Sequence, residues 1–321
     1  MHIVVLDGYA LNPGDLSWDG LKALGRVTVY DRSTKEEALE RVKDAEILLT
    51  NKTPITEELL AAARKVKYVG VMATGYNIVD LEACRRRNIP VTNVPAYSTN
   101  AVAQLVFAYL LEICHHVTHH TEAVMAGEWT NSKDFSFWNY PLIELSGKTM
   151  GVIGFGSIGI RVSEIAQAFG MKVLVWSRTK KPEYENERLI FVPLDELYRK
   201  ADVISVHVPL TKETENLIDK EAINKMKDGV ILINTARGGI INEKDLADAL
   251  NSGKVYAAGV DVVTKEPIEA DNPLLKAKNL FITPHIGWAP KEARTRCMEI
   301  VVQNVKAFIE GKPQNVVNGV K

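Results

Sequence analysis

The sequence predicts an α/β protein built from two parallel-sheet domains. Three observations carry that prediction. Short apolar runs of strand length alternate with helical patterns along nearly all of the 321 residues. Residues 98–147 interrupt the alternation with one long helical pattern and an aromatic-rich segment. Where the alternation resumes, a glycine turn of the form GxGxxG stands between a strand and a helix.

In the first block the strands read HIVVLD, EILLT, YVGVM and IPVTNV. The helices between them read KEEALERVKDA, ITEELLAAARK and DLEACRRR. A βαβ rhythm of this kind implies a small parallel sheet with helices on both faces. A helical pattern follows over 98–127, with Ser98, Thr99 and Asn100 at its start as capping residues. Trp129, Phe135, Phe137, Trp138 and Tyr140 then crowd one irregular stretch. It is either a loop packed on its own domain or an arm packed on a second subunit, and large aromatics favour the arm. The second block has seven strands: KTMGVIGFG, MKVLVWS, RLIFV, VISVHV, VILINTA, AAGVDVV and LFITPH. Seven strands with intervening helices make a doubly wound sheet. A closing helix over 290–310 must bury its apolar stripe, and it is expected to return to the first domain. The expected domains are therefore 1–98 plus 290–321, and 99–289.

Composition narrows the function classes. Lys and Arg number 39 against 40 Asp and Glu, so the chain lacks the basic excess of a nucleic-acid binder. Cys84, Cys114 and Cys297 are odd in number and form no CxxC, which argues against a disulfide framework and for a reducing compartment. MHIVVLDG starts directly as a strand, unlike a signal peptide. The most apolar helix, 101–114, is interrupted by Gln104 and Glu112 and is too short to span a membrane. The expectation is a cytoplasmic protein.

The glycine turn is Gly154-Phe-Gly156-Ser-Ile-Gly159. Gly154 permits the tight turn, Gly156 lets the backbone approach a pyrophosphate, and Gly159 allows close helix–strand packing. The helix N-terminus then presents N–H groups to the phosphates. This makes the larger domain a Rossmann-type dinucleotide site, with the smaller domain a flavodoxin-like α/β substrate domain. NAD sites carry an acid on the ribose 2′-OH about 20 residues beyond the glycines. Here the next strand ends in Ser177, Arg178, Thr179, Lys180 and Lys181, which suit a 2′-phosphate. NADP(H), or use of both NAD and NADP, is favoured over a merely solvated basic turn.

Three later strands end in polar side chains: VILINTA in Arg237, AAGVDVV in the turn that holds Glu266, and LFITP in His285. In an open α/β sheet ligands bind outside the carboxyl ends of the strands. An arginine, a glutamate and a histidine at three such ends would converge beside the nicotinamide.

NTARGG, GVDVVTKEP, PHIGW and GFGSIG together closely resemble the D-isomer-specific 2-hydroxyacid dehydrogenases. The resemblance extends over essentially the whole chain, including ATGYNIVD and VPAYSTNAVAQ. ATGYN, DFSFW and PHIGWAPKEAR are most similar to the glycerate dehydrogenase (hydroxypyruvate reductase) branch. The resemblance implies reduction of hydroxypyruvate or glyoxylate to D-glycerate or glycolate by hydride from NAD(P)H. Arg237 would bind the keto acid's carboxylate and carbonyl oxygen. His285 would give the proton, and Glu266 would orient His285 and favour its charged form. Backbone N–H groups around Ala73, Thr74 and Gly75 would hold the substrate carboxylate. For the cofactor the family pattern adds Thr99, Ser157, Ile158, Val208, Pro209, Thr214, Ala236 and Asp261. Asp261 would accept from the nicotinamide amide. Formate dehydrogenases of the superfamily have glutamine where this chain has Glu266, which argues for proton transfer to a keto acid.

His115, His116, His119 and His120 include two i, i+4 pairs, a spacing that can bind metal. No acid or cysteine completes a catalytic set and the family uses no metal, so none is expected. The partners expected are a small keto or hydroxy acid and a second copy of the chain through the cofactor domain. The alternatives are a broad D-2-ketoacid reductase, such as a D-lactate dehydrogenase, and a dinucleotide-sensing protein without turnover.

Overall fold

The structure, a computed structural model, describes residues 1–320. The chain divides into two compact units, Met1–Ser98 with Trp288 onward, and Thr99–Gly287. The return to the first unit thus comes at Trp288, just before the 290 read from the sequence.

The first unit holds a five-stranded parallel sheet of β1 (His2–Val5), β2 (Arg26–Val29), β3 (Ile47–Thr50), β4 (Tyr68–Val71) and β5 (Val91–Thr92), in the order β2-β1-β3-β4-β5. β3 and β4 are buried at every residue, which is why they read as unbroken apolar runs. β2 is absent from the sequence reading. Its RVTV lies at the sheet edge, partly exposed, so it lacks the apolar run that marks its neighbours. A single turn of helix, α1 (Asp19–Lys22), was likewise not anticipated. The helices α2 (Lys35–Arg41), α3 (Glu57–Ala62) and α4 (Leu81–Arg86) start at Thr34, Thr56 and Asp80, each accepting from an N–H of the first turn. The closing helix, Lys291–Ile309, packs in this unit against β4 and α1. Its buried Arg294 meets Asp15 through two bonds of 2.7 Å and also donates to the carbonyls of Leu11 and Ala289.

The second unit opens with α5 (Thr99–His115) and α6 (Val117–Met125). The single helical pattern over 98–127 is in fact two helices, bent by 51°. At the break His116 takes a left-handed φ of 47°, which no helix can continue through. Its ring stacks on Tyr140 at 4.6 Å. No single helix is long and apolar enough to cross a membrane. The histidine cluster grips the aromatic segment. His120 Nδ1 donates to the His116 carbonyl at 2.9 Å, and its Nε2 accepts from Asn139 N at 3.2 Å. His119 Nε2 lies 3.1 Å from the Asn139 amide nitrogen. Among the described residues no group of three or more His, Cys, Asp or Glu could hold a metal ion.

Seven parallel strands follow: β6 (Thr149–Ile153), β7 (Lys172–Trp176), β8 (Leu189–Phe191), β9 (Val203–Val206), β10 (Val230–Asn234), β11 (Val255–Val260) and β12 (Leu280–Ile282). Their order is β12-β11-β10-β9-β6-β7-β8. α5 and α7 (Ser157–Ala168) build one apolar layer on this sheet. α8 (Leu194–Lys200), α9 (Lys220–Lys225) and α10 (Glu243–Ser252) build the other. The strand order reverses between β6 and β9, and a crevice at that switch point is where ligands of such sheets bind.

Beyond the strands of the first unit, Asp7 is 7% exposed and accepts from Asn51 N at 2.7 Å, Lys52 N at 2.5 Å and Thr53 N at 2.7 Å. One carboxylate thereby ties the end of β1 to the turn after β3. Asp7→Ala leaves three N–H groups without that acceptor and is expected to cost on the order of 2–4 kcal/mol in a urea melt. A wild-type midpoint would show that the turn holds without it.

Candidate active site

The carboxyl ends of β6, β7, β9, β10, β11 and β12 lie along one edge of the second sheet, because all seven strands run parallel. Every candidate residue of this unit except Thr99, at the start of α5, stands just beyond one of those ends or at the start of α7.

Gly154 follows β6 with φ of 99°, and a Cβ there would lie 2.6 Å from the His207 carbonyl oxygen. At Gly159 a Cβ would lie 2.0 Å from the Gly154 oxygen, so turn and helix can touch only through a glycine. Gly156 is different: a Cβ there meets nothing within 4 Å. It is the N-cap of α7, and no side chain among the described residues caps that helix. The first-turn N–H groups at Ser157, Ile158 and Gly159 have no acceptor within the helix and stand at the positive end of its dipole, beside the open face of Gly156. Uncapped donors beside an unfilled cradle fit a pyrophosphate.

Ser177 is half-buried at the end of β7, and Arg178, Thr179 and Lys180 are exposed beyond it. After β9 come Val208, half-buried, and Pro209, exposed. Thr214 is directed inward: its hydroxyl donates to the Pro209 carbonyl at 2.6 Å and accepts from Thr211 N at 2.8 Å, which closes that turn.

β10 runs into Asn234, whose side chain holds the next turn at two points. Its Oδ1 accepts from Ala236 N at 3.0 Å and its Nδ2 donates to the Arg237 carbonyl at 2.8 Å. Arg237 is exposed, and its Nη1 donates to the Ala236 carbonyl at 2.7 Å. A Cβ on Gly238 would lie 1.9 Å from the carbonyl carbon of Val263, so Arg237's turn packs backbone to backbone on the turn that leads to Glu266. Glu243 holds that second turn, with Oε1 accepting from Thr264 N and Oε2 from Asn272 Nδ2. The Thr235 hydroxyl is buried and finds no partner among the described residues. An orphaned donor in this position also fits a polar ligand group.

His285 and Glu266 are brought into direct contact. Nδ1 of the imidazole lies 2.7 Å from Glu266 Oε2, with the side chains 25% and 38% exposed. His285 itself has φ of 56°, a left-handed conformation unusual for a residue with a Cβ. Asp261, 2% exposed, flanks it. Oδ1 accepts from the Thr283 hydroxyl at 2.5 Å and Ile286 N at 2.8 Å, and Oδ2 accepts from Gly287 N at 2.8 Å. A carboxylate has about four acceptor positions, so roughly one remains for an outside donor such as a carboxamide.

In the first unit, Ala73, Thr74 and Gly75 form the turn after β4. The Ala73 carbonyl accepts from Val94 N at 3.0 Å and the Thr74 carbonyl from Asn93 Nδ2 at 2.8 Å. The Thr74 hydroxyl donates to the Val94 carbonyl at 2.7 Å.

The D-isomer specific 2-hydroxyacid dehydrogenase NAD binding domain matches residues 107–287, more than half of the chain. The chain belongs to the D-isomer specific 2-hydroxyacid dehydrogenase family. It is 56% identical to a hydroxypyruvate reductase of Blautia hydrogenotrophica, over 99% of this chain and 100% of that one. A glycerate dehydrogenase of Methylorubrum extorquens is 40% identical over 88% of this chain and 89% of its own. The crystal structure of the Aquifex aeolicus D-lactate dehydrogenase, complexed with NAD and lactic acid, superposes with a TM-score of 0.84 at 32% identity. It covers 97% of this chain and 96% of its own. The dehydrogenase fold explains why the glycines and the polar strand ends share one edge.

Sequence reasoning missed Asn234, Thr235, Gly238 and Glu243. The first three lie inside NTARGG and carry a signal in that motif. Glu243 opens α10 and shows no local sign of its reach to Thr264.

His207, beyond β9 and behind the glycine turn, has its Nε2 2.8 Å from the Ser205 hydroxyl, and burial pushes its imidazole down to about 3. An unfolded histidine takes its proton near ~6.5, so between that pH and about 3 the unfolded chain binds more protons. Stability should therefore fall as the pH falls through that window and level off below it. His207→Gln is expected to flatten this acid slope in thermal melts from pH 7 to 3.5; an unchanged slope would mean that other groups set it.

Proposed function

We propose that this dehydrogenase reduces hydroxypyruvate to D-glycerate, or glyoxylate to glycolate. The observation that carries the reading is the His285–Glu266 contact of 2.7 Å beyond β11 and β12, on the same sheet edge as the glycine turn after β6. The likeness to a hydroxypyruvate reductase over both full lengths supports the substrate class. A sensor that only binds dinucleotide has no use for a histidine held against a carboxylate.

When bound, the nicotinamide dinucleotide supplies the hydride. The chain's own residues do the rest. Arg237 offers a fixed fork of donors to the carboxylate and the carbonyl oxygen, which holds the keto acid in one orientation and stabilises the charge that develops on that oxygen. With Nδ1 engaged by Glu266, His285 presents Nε2 to the carbonyl oxygen and transfers its proton there. In oxidation the neutral Nε2 takes the proton back. The first unit is assigned as the substrate domain, and the N–H groups of Ala73, Thr74 and Gly75 are assigned as donors for a substrate carboxylate. The second is assigned as the dinucleotide domain. Gly154, Gly156, Ser157, Ile158 and Gly159 hold the pyrophosphate, and Val208, Pro209 and Thr214 line the adenine side. Thr99, Ala236 and the remaining acceptor position of Asp261 serve the nicotinamide end. Ser177 and Arg178 favour NADP(H), because a 2′-phosphate would gain a charged hydrogen-bond partner where NAD enzymes place an acid.

Steady-state reduction with NADPH and NADH tests these assignments. Hydroxypyruvate should exceed pyruvate in kcat/KM by about tenfold or more, a difference that one well-placed hydroxyl contact supplies. His285→Ala should lower kcat by roughly 10²–10⁴ while dinucleotide still binds. Arg178→Ala should lower kcat/KM with NADPH by about tenfold or more and leave NADH nearly unaffected. Equal losses with both cofactors would overturn the NADP assignment, and no turnover of hydroxypyruvate or glyoxylate would overturn the substrate.

The same reading makes the enzyme a homodimer. Val117, Met125, Phe135 and Trp138 are 59%, 83%, 91% and 65% exposed on α6 and the aromatic segment, and exposed apolar side chains clustered on neighbouring elements mark interaction surfaces. Cys84, Cys114 and Cys297 are buried free thiols, which suits a cytoplasmic enzyme. Sedimentation velocity at micromolar concentration should show a dimer that Trp138→Asp dissociates; a wild-type monomer would exclude it.

A further inference from the structure

His285 has a conformation that its own residue type does not favour, so something must hold it. The Asp261 carboxylate does part of this, by gripping Thr283 on one side of His285 and the N–H groups of Ile286 and Gly287 on the other. His285 N also donates to the Thr283 carbonyl at 3.0 Å. Strained backbone of this kind persists only where its neighbours over-determine it. The grip reaches one residue further back. Tyr109, 5% exposed on α5, lays its ring on the bare face of Gly259, where a Cβ would lie 2.6 Å from the ring. Its hydroxyl reaches the Val260 carbonyl at 3.0 Å and is hydrogen-bonded to the Thr283 hydroxyl. The direction of these bonds follows from counting protons. The Val260 carbonyl already accepts from Thr283 N at 3.0 Å. The single Thr283 hydroxyl proton goes to Asp261, which as an anion can only accept. The Thr283 oxygen therefore has lone pairs to offer, and the single Tyr109 hydroxyl proton is shared between them and the second lone pair of the Val260 carbonyl.

We propose that Tyr109 is a positioning residue for proton transfer: its hydroxyl, through Thr283 and Asp261, holds His285 in the orientation that meets Glu266. The inference rests on His285 being the proton donor. Tyr109 lies in the helix VAQLVFAYLLEIC, outside the motifs that hold Arg237, Glu266 and His285, and touches no reacting atom. Removing its hydroxyl leaves the ring on Gly259 and the fold in place. It frees the Thr283 side chain to rotate and slackens one of Asp261's three bonds. A general acid displaced by a fraction of an ångström loses rate far more than it loses ligand affinity.

The test compares wild type, Tyr109→Phe, His285→Ala and the double variant in hydroxypyruvate reduction, with dinucleotide affinity measured separately. Tyr109→Phe is expected to lower kcat by about tenfold, with KM for hydroxypyruvate and Kd for the dinucleotide changed less than about threefold. On the His285→Ala background it should change the residual rate by less than about twofold, because the group it positions is gone. If Tyr109→Phe keeps the wild-type kcat, or if its loss recurs in full on the His285→Ala background, Tyr109 does not act through His285 and the proposal fails. Should Tyr109→Phe not fold, Thr283→Val and Thr283→Ser carry the same test. Valine should reproduce the loss of kcat and serine should restore it, and equal rates for the two overturn the proposal. Wild-type turnover by His285→Ala itself would instead overturn the proton-donor reading on which this one rests.

Discussion

The Asp261 carboxylate sits at the point on which the site's geometry depends. It is nearly sealed from solvent, and its acceptors collect a hydroxyl and two backbone N–H groups from the turn after β12. A buried carboxylate without such donors would be costly, whereas a turn of free N–H groups is an anion-binding concavity. Each needs the other, and His285 lies between the donors that Asp261 gathers. The first unit uses the same device: Asp7 accepts from three successive N–H groups in the turn after β3. Beyond the carboxyl ends of strands the ladder no longer satisfies the backbone, and an acid there can order a turn without any secondary structure.

Close backbone approach is the second constraint. At Gly154, Gly159, Gly238 and Gly259 a single added carbon would overlap a carbonyl, a backbone carbon or the Tyr109 ring. These contacts bring the β6 turn against β9, Arg237's turn against Glu266's, and α5 against β11. Gly156 alone among the glycines of the turn faces open space, and the N–H groups behind it are uncapped. Within the motif the same residue type thus serves packing at two positions, Gly154 and Gly159, and leaves the backbone open at one, Gly156. That division separates a dinucleotide turn from an ordinary tight turn.

Most of the architecture was legible because it is written in short-range patterns. The seven strands of the second unit, the three main helices of the first and the closing helix follow from apolar periodicity. So does their parallel arrangement, since strands separated by helices cannot pair as hairpins. The glycine turn and the polar strand ends also stood out, as each combines a strand with an abrupt change of residue type. β2 escaped because an edge strand keeps polar residues, and its RVTV looks like loop. The break at His116 escaped because helix propensity varies smoothly there. Packing on Tyr140, not sequence, accompanies the turn of the chain.

The sequence by itself determined the fold class, the family pattern and which side chains are the candidates for the chemistry. All three depend on neighbours within a few residues or on strand ends, which local chemistry marks. The tertiary structure decided how those groups are held. Thr283 and Tyr109 meet across 174 residues, and Glu266 and His285 across 19, through contacts that no period or spacing encodes. Side chains that act through others carry no motif of their own. They become visible only when folding sets a hydroxyl from α5 against a hydroxyl beyond β12.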